Sequence, residues 1–457
     1  AGGDLSAQGA EWALFHRDPE PPASIPSMAL PDRFFPAWKI GYLRSGKDGR
    51  RGAAVISASD WGGHHHLDSL NLFYWQDGAE LLSDLGYLWD NPDMRNLSRT
   101  VAHNLVVVDE ANQRTTGRGG WLHAFDISPR VKVIEVSSDA YPQASDYRRT
   151  VFLVEHPEGV YLADIFRTSG GKTHDYVFHG PNPEMELQEL AADPAPDLTA
   201  YQFTQVHATQ ATRPWRALWT VDKEVRFQAI SLPQPGETSM VAQGWGQRVP
   251  QQKGWTLPYI VRRIASDTDA TTSAFTSVFE GYRGQAFVRA ARRLEVKAPG
   301  AVALAVETAT GGTDYIVSAP EGTAVTVQTH RGPLVVEGGL AVVATAGEKV
   351  RFASLVGGKR LEWNEHRLLL QEPVLRGKVA RYENEGPDCW LELDRALPNP
   401  NALVGRTILA GKGEKCTGYE IRAIEGKRIY VRKDGAGVDL LPSEEWRLLL
   451  SASLNAE

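Results

Sequence analysis

From about Gly41 onward, apolar residues recur at every second position. VRFQAISL (225–232), SAFTSVFEGY (273–282), AVALAVETA (301–309) and DYIVSAP (314–320) alternate or run apolar for strand-like lengths, with Gly, Pro, Asp and Asn between them. An α/β fold would need amphipathic helices of ten or more residues between such strands, and no series of them is present. The pattern therefore predicts a mostly β chain built as a large antiparallel β-sandwich, or super-sandwich. The exception is DLSAQGAEWALF (4–15), where Leu5, Trp12 and Phe15 have helical spacing. Repeated prolines between Pro19 and Pro36 follow, which mark an extended connector rather than a helix or a central strand. Near Glu372 the texture shifts again to short strands with a turn at Asp434-Gly435. The expected organisation is a terminal helix and linker over 1–40, the sandwich over 41–371 and a small C-terminal β domain over 372–457.

Composition narrows the function more than the fold. A chain of 457 residues exceeds one ordinary core. Its 49 basic and 56 acidic side chains give a net charge of -7, which argues against a protein built mainly to grip nucleic acid; an anionic ligand would need a local basic patch. No apolar run reaches the length of a membrane span. The chain starts Ala1-Gly2-Gly3 without Met, so the lack of a signal peptide says little about compartment. Cys389 and Cys416 can form at most one bridge, which leaves the redox compartment undecided.

The chemistry gathers between positions 62 and 118. Three of the 12 histidines lie in GGHHHLD (62–68), and a fourth, His103, lies in TVAHN just ahead of an apolar strand. Along an extended backbone His64, His66 and Asp68 face one way, which makes a two-imidazole claw suited to a first-row metal, zinc first. Downstream, Asp77-Gly78 between apolar runs is a hairpin signal, and the returning strand ends at Asp84. In an ideal hairpin closed by that turn, Asp84 lies opposite Asn71, five residues of about 3.3 Å each away from His66. For His66 and Asp84 to meet, the HHHLD segment must bend back or a bulge must intervene, and Gly62-Gly63 supplies the freedom. A cupin-type site would want a glutamate soon after the second histidine, and only Asp68 precedes Glu80. His174 and His179 differ in strand parity and read as structural. Arg95, Arg99, Arg114 and Arg118 form a basic cluster able to meet a polyanionic sugar through forked guanidinium pairs.

The runs GGHHHLDSLNLFYW, GAELLSDLGY and TVAHNLVVVDEANQ, with VRRIASDTDATTSAFTSVFEGY further on, resemble the β-sandwich half of the heparinase II/III-like polysaccharide lyases, which include alginate and oligoalginate lyases. The resemblance is specific over 41–114 and looser to about 370. It implies that His66, Asp84 and His103 bind a metal, usually zinc, and that His64 faces the catalytic cleft. His65 and Asp68 have no fixed family role, and we read them as support for the ligands. Tyr87 is the only tyrosine between Asp84 and His103, which makes it the candidate acid, although it sits closer to the aspartate than the family spacing.

The implied activity is β-elimination next to a uronic acid in an acidic polysaccharide. It requires neutralising the carboxylate, removing the C5 proton and protonating the departing O4. In the family the base tyrosine and the neutralising residue come largely from an N-terminal α/α-toroid. That domain is absent from this chain, so a toroid on a separate chain is an expected partner, and a periplasmic or extracellular location goes with the reading. Two rivals are a uronyl C5-epimerase using the same proton abstraction and a non-catalytic carbohydrate-binding or structural β-protein with a structural metal site.

Overall fold

The computed structural model describes residues 31–46, 51–59, 66–86, 94–347, 349–384, 389–432 and 443–456. The predicted N-terminal helix, His64, His65 and Tyr87 lie outside the described residues. What is described is built almost entirely of antiparallel strands, as the alternation predicts. Its longest helix, α1, spans only Met94–Leu97, so among the described residues there is no helical toroid. No helix there is long and apolar enough to cross a membrane.

The first sheet is a five-stranded meander of β1 (Arg33–Phe35), β2 (Ile40–Ser45), β3 (Gly52–Ser57), β4 (Asn71–Gln76) and β5 (Ala79–Leu82). β1 falls inside the proline-rich stretch. It is a three-residue edge strand between Pro31 and Pro36, the position where neighbouring prolines cost a sheet least. The β4–β5 hairpin closes at Asp77-Gly78, both in the left-handed region at φ 55° and 86°. That conformation gives the turn whose twist matches the strands, and glycine enters it without a Cβ clash.

A six-stranded sheet contains β6 (Leu105–Val108) beside Thr173–His179. Between it and a further sheet formed by strands from Val288–Leu294 to Lys349–Val356 stands an eight-stranded sheet. This middle sheet explains the continuous apolar run TVFLVE, because both of its faces are covered. Val151 and Leu153 pack with Tyr176, Phe178 and Leu72 on one side, while Phe152 and Val154 pack with Leu304, Ile316 and Val342 on the other.

The C-terminal module is a closed barrel of six strands between Val374 and Leu449, filled by Leu375, Leu391, Ile408, Tyr419 and Trp446. Closure removes sheet edges, which suits so small a core. Cys389 and Cys416 are buried and are not bridged to each other. After the barrel, Ser451–Asn455 leaves it and pairs with Lys349–Val356.

Candidate metal centre

Three segments far apart in sequence deliver the centre. His66 precedes a tight turn in which the Asn71 amide donates to the Asp68 carbonyl at 2.9 Å and Leu70 adopts φ 71°. This turn bends the segment back across the start of β4. The hairpin also carries a bulge: Gln76 pairs with Ala79 and Trp75 with Glu80, but Tyr74 pairs with Leu82. Asp84 follows two residues beyond β5. His103 closes the short 3-10 turn Thr100–Ala102, its amide donating to the Thr100 carbonyl, two residues before β6 begins. The bulge sets Asp84 opposite Leu72, one residue further from His66 than an ideal hairpin would, so it is the bend at Asp68–Asn71 that returns His66 to Asp84.

The result is one cluster in which a ligand atom from each of His66, Asp84 and His103 lies within 4.8 Å of the others. His66 Nδ1 stands 2.9 Å from His103 Nε2, 3.8 Å from an Asp84 carboxylate oxygen, and His103 Nε2 is 3.6 Å from the other Asp84 oxygen. Donors held at about 2.0–2.1 Å around a tetrahedral zinc ion stand about 3.3 Å apart, so these separations bracket that geometry. His103 Nδ1 lies 2.9 Å from the Arg99 carbonyl. Only a protonated nitrogen can donate there, which fixes the tautomer and leaves the Nε2 lone pair for the cluster. Burial, then the adjacent His103, pushes the His66 pKa down, which favours the neutral ring that ligates. Burial pushes the neighbouring Asp68 carboxyl up. The His103 side chain is wholly enclosed, whereas Asp84 keeps 20% of its surface, so the cluster is open on the carboxylate side. A donor set of two imidazoles and one carboxylate with an open side fits a divalent cation.

Residues not singled out in the sequence hold the segments in place. The buried Asn104 amide group donates to the carbonyls of Leu72 (3.1 Å) and Ser83 (3.0 Å), and its oxygen accepts from the His179 amide (3.1 Å). One side chain thus ties the residue before Asp84 and the residue after His103 to β4. Gln113 exchanges two 2.8 Å hydrogen bonds with the Ser69 backbone, and its own amide donates to Thr100 Oγ1. Asn112 accepts from the Thr100 amide. Below them Arg149 makes a forked pair with Asp164 at 2.8 and 2.9 Å and donates to the carbonyls of Leu70 and Asn104. Asn104, Asn112 and Gln113 all stand in the motif runs. Only Asn104 directly adjoins the apolar strand β6, where a buried polar group must find partners, and which partners those are is not written in the sequence.

The four arginines differ. Arg95 is exposed on α1. Arg99 is half-buried and donates to the Ala200 carbonyl, and Arg114 donates to the Gly117 carbonyl. Arg118 is fully buried and donates to the His66 carbonyl at 3.1 Å, which places its guanidinium behind the cluster rather than on an outer surface. His179 is buried with contacts to Ala102, Gly180 and Ser83, and His174 to Gly170 and Ser273, so both are structural.

The fold and site together define a layered antiparallel β-protein with a two-histidine, one-aspartate cluster. Residues 28–246, a segment that holds all three cluster residues, match the family described as Heparinase II/III-like, C-terminal. An alginate lyase of Stenotrophomonas maltophilia (strain K279a) is 27% identical over 272 residues, 51% of this chain and 35% of that protein. The chain thus spans about a third of the length of the curated relative it matches. Among solved structures, heparan sulfate lyase HepC from Pedobacter heparinus superposes with a TM-score of 0.46 at 17% identity, covering 61% of this chain and 41% of that one. The heparinase III-BT4657 gene product gives 0.47 at 15% identity, with 63% and 43% covered.

Proposed function

We propose that this chain is the sandwich portion of a lyase that breaks uronate-containing acidic polysaccharide by β-elimination, and that His66, Asp84 and His103 hold a zinc ion. The convergence of those three side chains within 4.8 Å, from segments up to 37 residues apart, is the observation that carries the reading. The match of residues 28–246 to the heparinase II/III-like C-terminal family supports the reaction class, and the alginate lyase relative supports a uronate polymer.

In β-elimination the C5–H bond breaks, its electron pair forms the C4=C5 double bond, and the C4–O4 bond breaks as O4 takes a proton. A cation held by His66, Asp84 and His103 would supply fixed positive charge at the site. The chain's own residues do the rest of what this portion contributes. His103, oriented by the Arg99 carbonyl, and His66, held at its carbonyl by Arg118, keep their rings 5.0 Å apart, centroid to centroid. Arg95, exposed on α1, meets the anionic sugar as a screened surface charge. His64 and Tyr87 are assigned the proton work on family grounds, with the remaining base contributed by a toroid domain.

The test has two arms. Elemental analysis of the purified chain is expected to find bound zinc, and His66→Ala to lose it together with thermal stability; unchanged metal content in that variant removes His66 from the ligand set. Ultraviolet absorbance of the unsaturated uronate, measured with alginate and with heparan-type polymer in the presence of a toroid domain, reads the elimination. Deuterium entering C5 from solvent without chain shortening would identify an epimerase instead.

A further inference from the structure

The outer face of the five-stranded sheet carries a pattern that the metal centre does not use. Its inner face packs on the core through Leu43, Ala54, Ile56, Leu72 and Tyr74, so the alternate residues point away from it. Strand register lines those outward residues into two rows. Tyr42 pairs with Val55 and Val55 with Phe73; one step along, Arg44 pairs with Ala53 and Ala53 with Trp75. All of them are half-buried except Trp75, which is 49% exposed on a strand whose neighbouring residues Tyr74 and Gln76 are buried.

Small and branched residues in the middle strand, flanked by larger side chains on both sides, make a shallow trough. Its floor is Ala53 and Val55. One wall is Phe73 and Trp75, and the other is Tyr42 and Arg44. Strands about 4.8 Å apart set the two walls roughly 10 Å from each other, the width of a single glycan chain. A large indole left in water on an ordered strand costs solvation free energy unless something covers it. The Arg44 guanidinium has no carboxylate partner within 4.0 Å among the described residues, although the backbone of the same residue is engaged by Asp32 and Lys132. At the Trp75 end, the cross-strand neighbour Glu80 is neutralised by Arg248 at 2.5 Å, so no bare carboxylate repels an anion there.

We propose that this trough is a second carbohydrate site, separate from the metal centre, which takes an acidic oligosaccharide. A sugar ring stacks on Trp75, and a uronate carboxylate two strands away pairs with Arg44. Aromatic faces hold the apolar C–H face of a pyranose, and the guanidinium fork supplies the preference for acidic over neutral glycans. The choice of an acidic glycan rests on the uronate reading above, but the site does not depend on elimination taking place.

Binding of unsaturated-end-free mannuronate and guluronate oligomers to the full chain, with neutral cello-oligomers as control, tests the assignment by calorimetry. Trp75→Ala is expected to weaken acidic-oligomer binding about tenfold or more, the loss typical of truncating a central aromatic contact. Arg44→Gln is expected to remove the preference over cello-oligomers and most of the salt dependence. Both positions are outward-facing, and unchanged circular dichroism and thermal midpoint verify folding. His66→Ala is expected to bind as the wild type does, which separates this site from the metal centre. Equal binding by wild type and Trp75→Ala, binding lost only in His66→Ala, or no binding of acidic oligomers by the wild type each overturns the proposal. So does a concentration-dependent dimer that Trp75→Ala abolishes, since the face would then be covered by a second copy.

Discussion

Asn104 shows how much one amide can organise. Its side chain satisfies two carbonyls and one amide from three segments in a fully buried setting. Removing it leaves those groups without partners in the dry interior, at about 1–3 kcal/mol for each buried group. Asn104→Ala is therefore expected to lower stability by roughly 3–5 kcal/mol. Because Ser83 and His103 flank the clamp, zinc affinity is expected to fall as well. Chemical denaturation and metal titration read the two effects, and a variant that loses less than about 1 kcal/mol contradicts the clamp. The cluster residues were legible because imidazoles and a carboxylate are conspicuous in an apolar setting and sit within recognisable runs. Asn104, Gln113 and Arg149 were not, because an amide or guanidinium declares its partner only once distant backbone is brought alongside it. Arg118 is the instructive case: its charge suggested an outer sugar contact, yet it is enclosed against the His66 carbonyl.

At the level of single elements, alternation and turn chemistry carried most of the information. The Asp77-Gly78 turn closes where it was expected, since the left-handed backbone it needs suits that pair. The bulge opposite Tyr74 was open as one of two possibilities, because no residue type marks an extra position in a strand as clearly as Gly marks a turn. A buried carboxylate joins two other elements. Glu280, near the end of Thr272–Arg283, accepts from the amides of Phe287 (2.6 Å) and Val288 (3.0 Å) and from the side chain of its cross-strand neighbour Gln228. Burial outweighs those donors and pushes its pKa from 4.5 up to about 7. The folded protein thus holds this proton more tightly than the unfolded chain does. Its contribution to stability is fully present below about pH 4.5 and declines as pH rises toward 7, by on the order of 3 kcal/mol. Urea midpoints measured across that window are expected to fall less steeply with pH in Glu280→Gln than in the wild type; parallel slopes would show that Glu280 does not titrate there.

Sheet order belongs to the whole molecule, and it was the least legible feature. Pairings such as Leu162 with Phe279 join residues more than a hundred positions apart, and local pattern cannot choose among such partners. The short terminal strand illustrates the point. SASLN is polar and brief, the character of an edge strand, and it covers the far more apolar KVRFASLV. Deleting residues 451–457 is expected to expose that strand and to produce self-association through it, visible in sedimentation velocity; a monomeric truncated chain would mean that another segment guards the edge.

The same return of the chain has an architectural consequence. Where the barrel begins and ends, the Leu450 amide donates to the Pro373 carbonyl at 2.9 Å, and the Leu450 carbonyl accepts from Gly357 at the same distance. Entrance and exit are thus side by side, so the barrel is a cassette plugged into one socket of the sandwich, and a short splice between its two leads would let the remaining sheets be made without it.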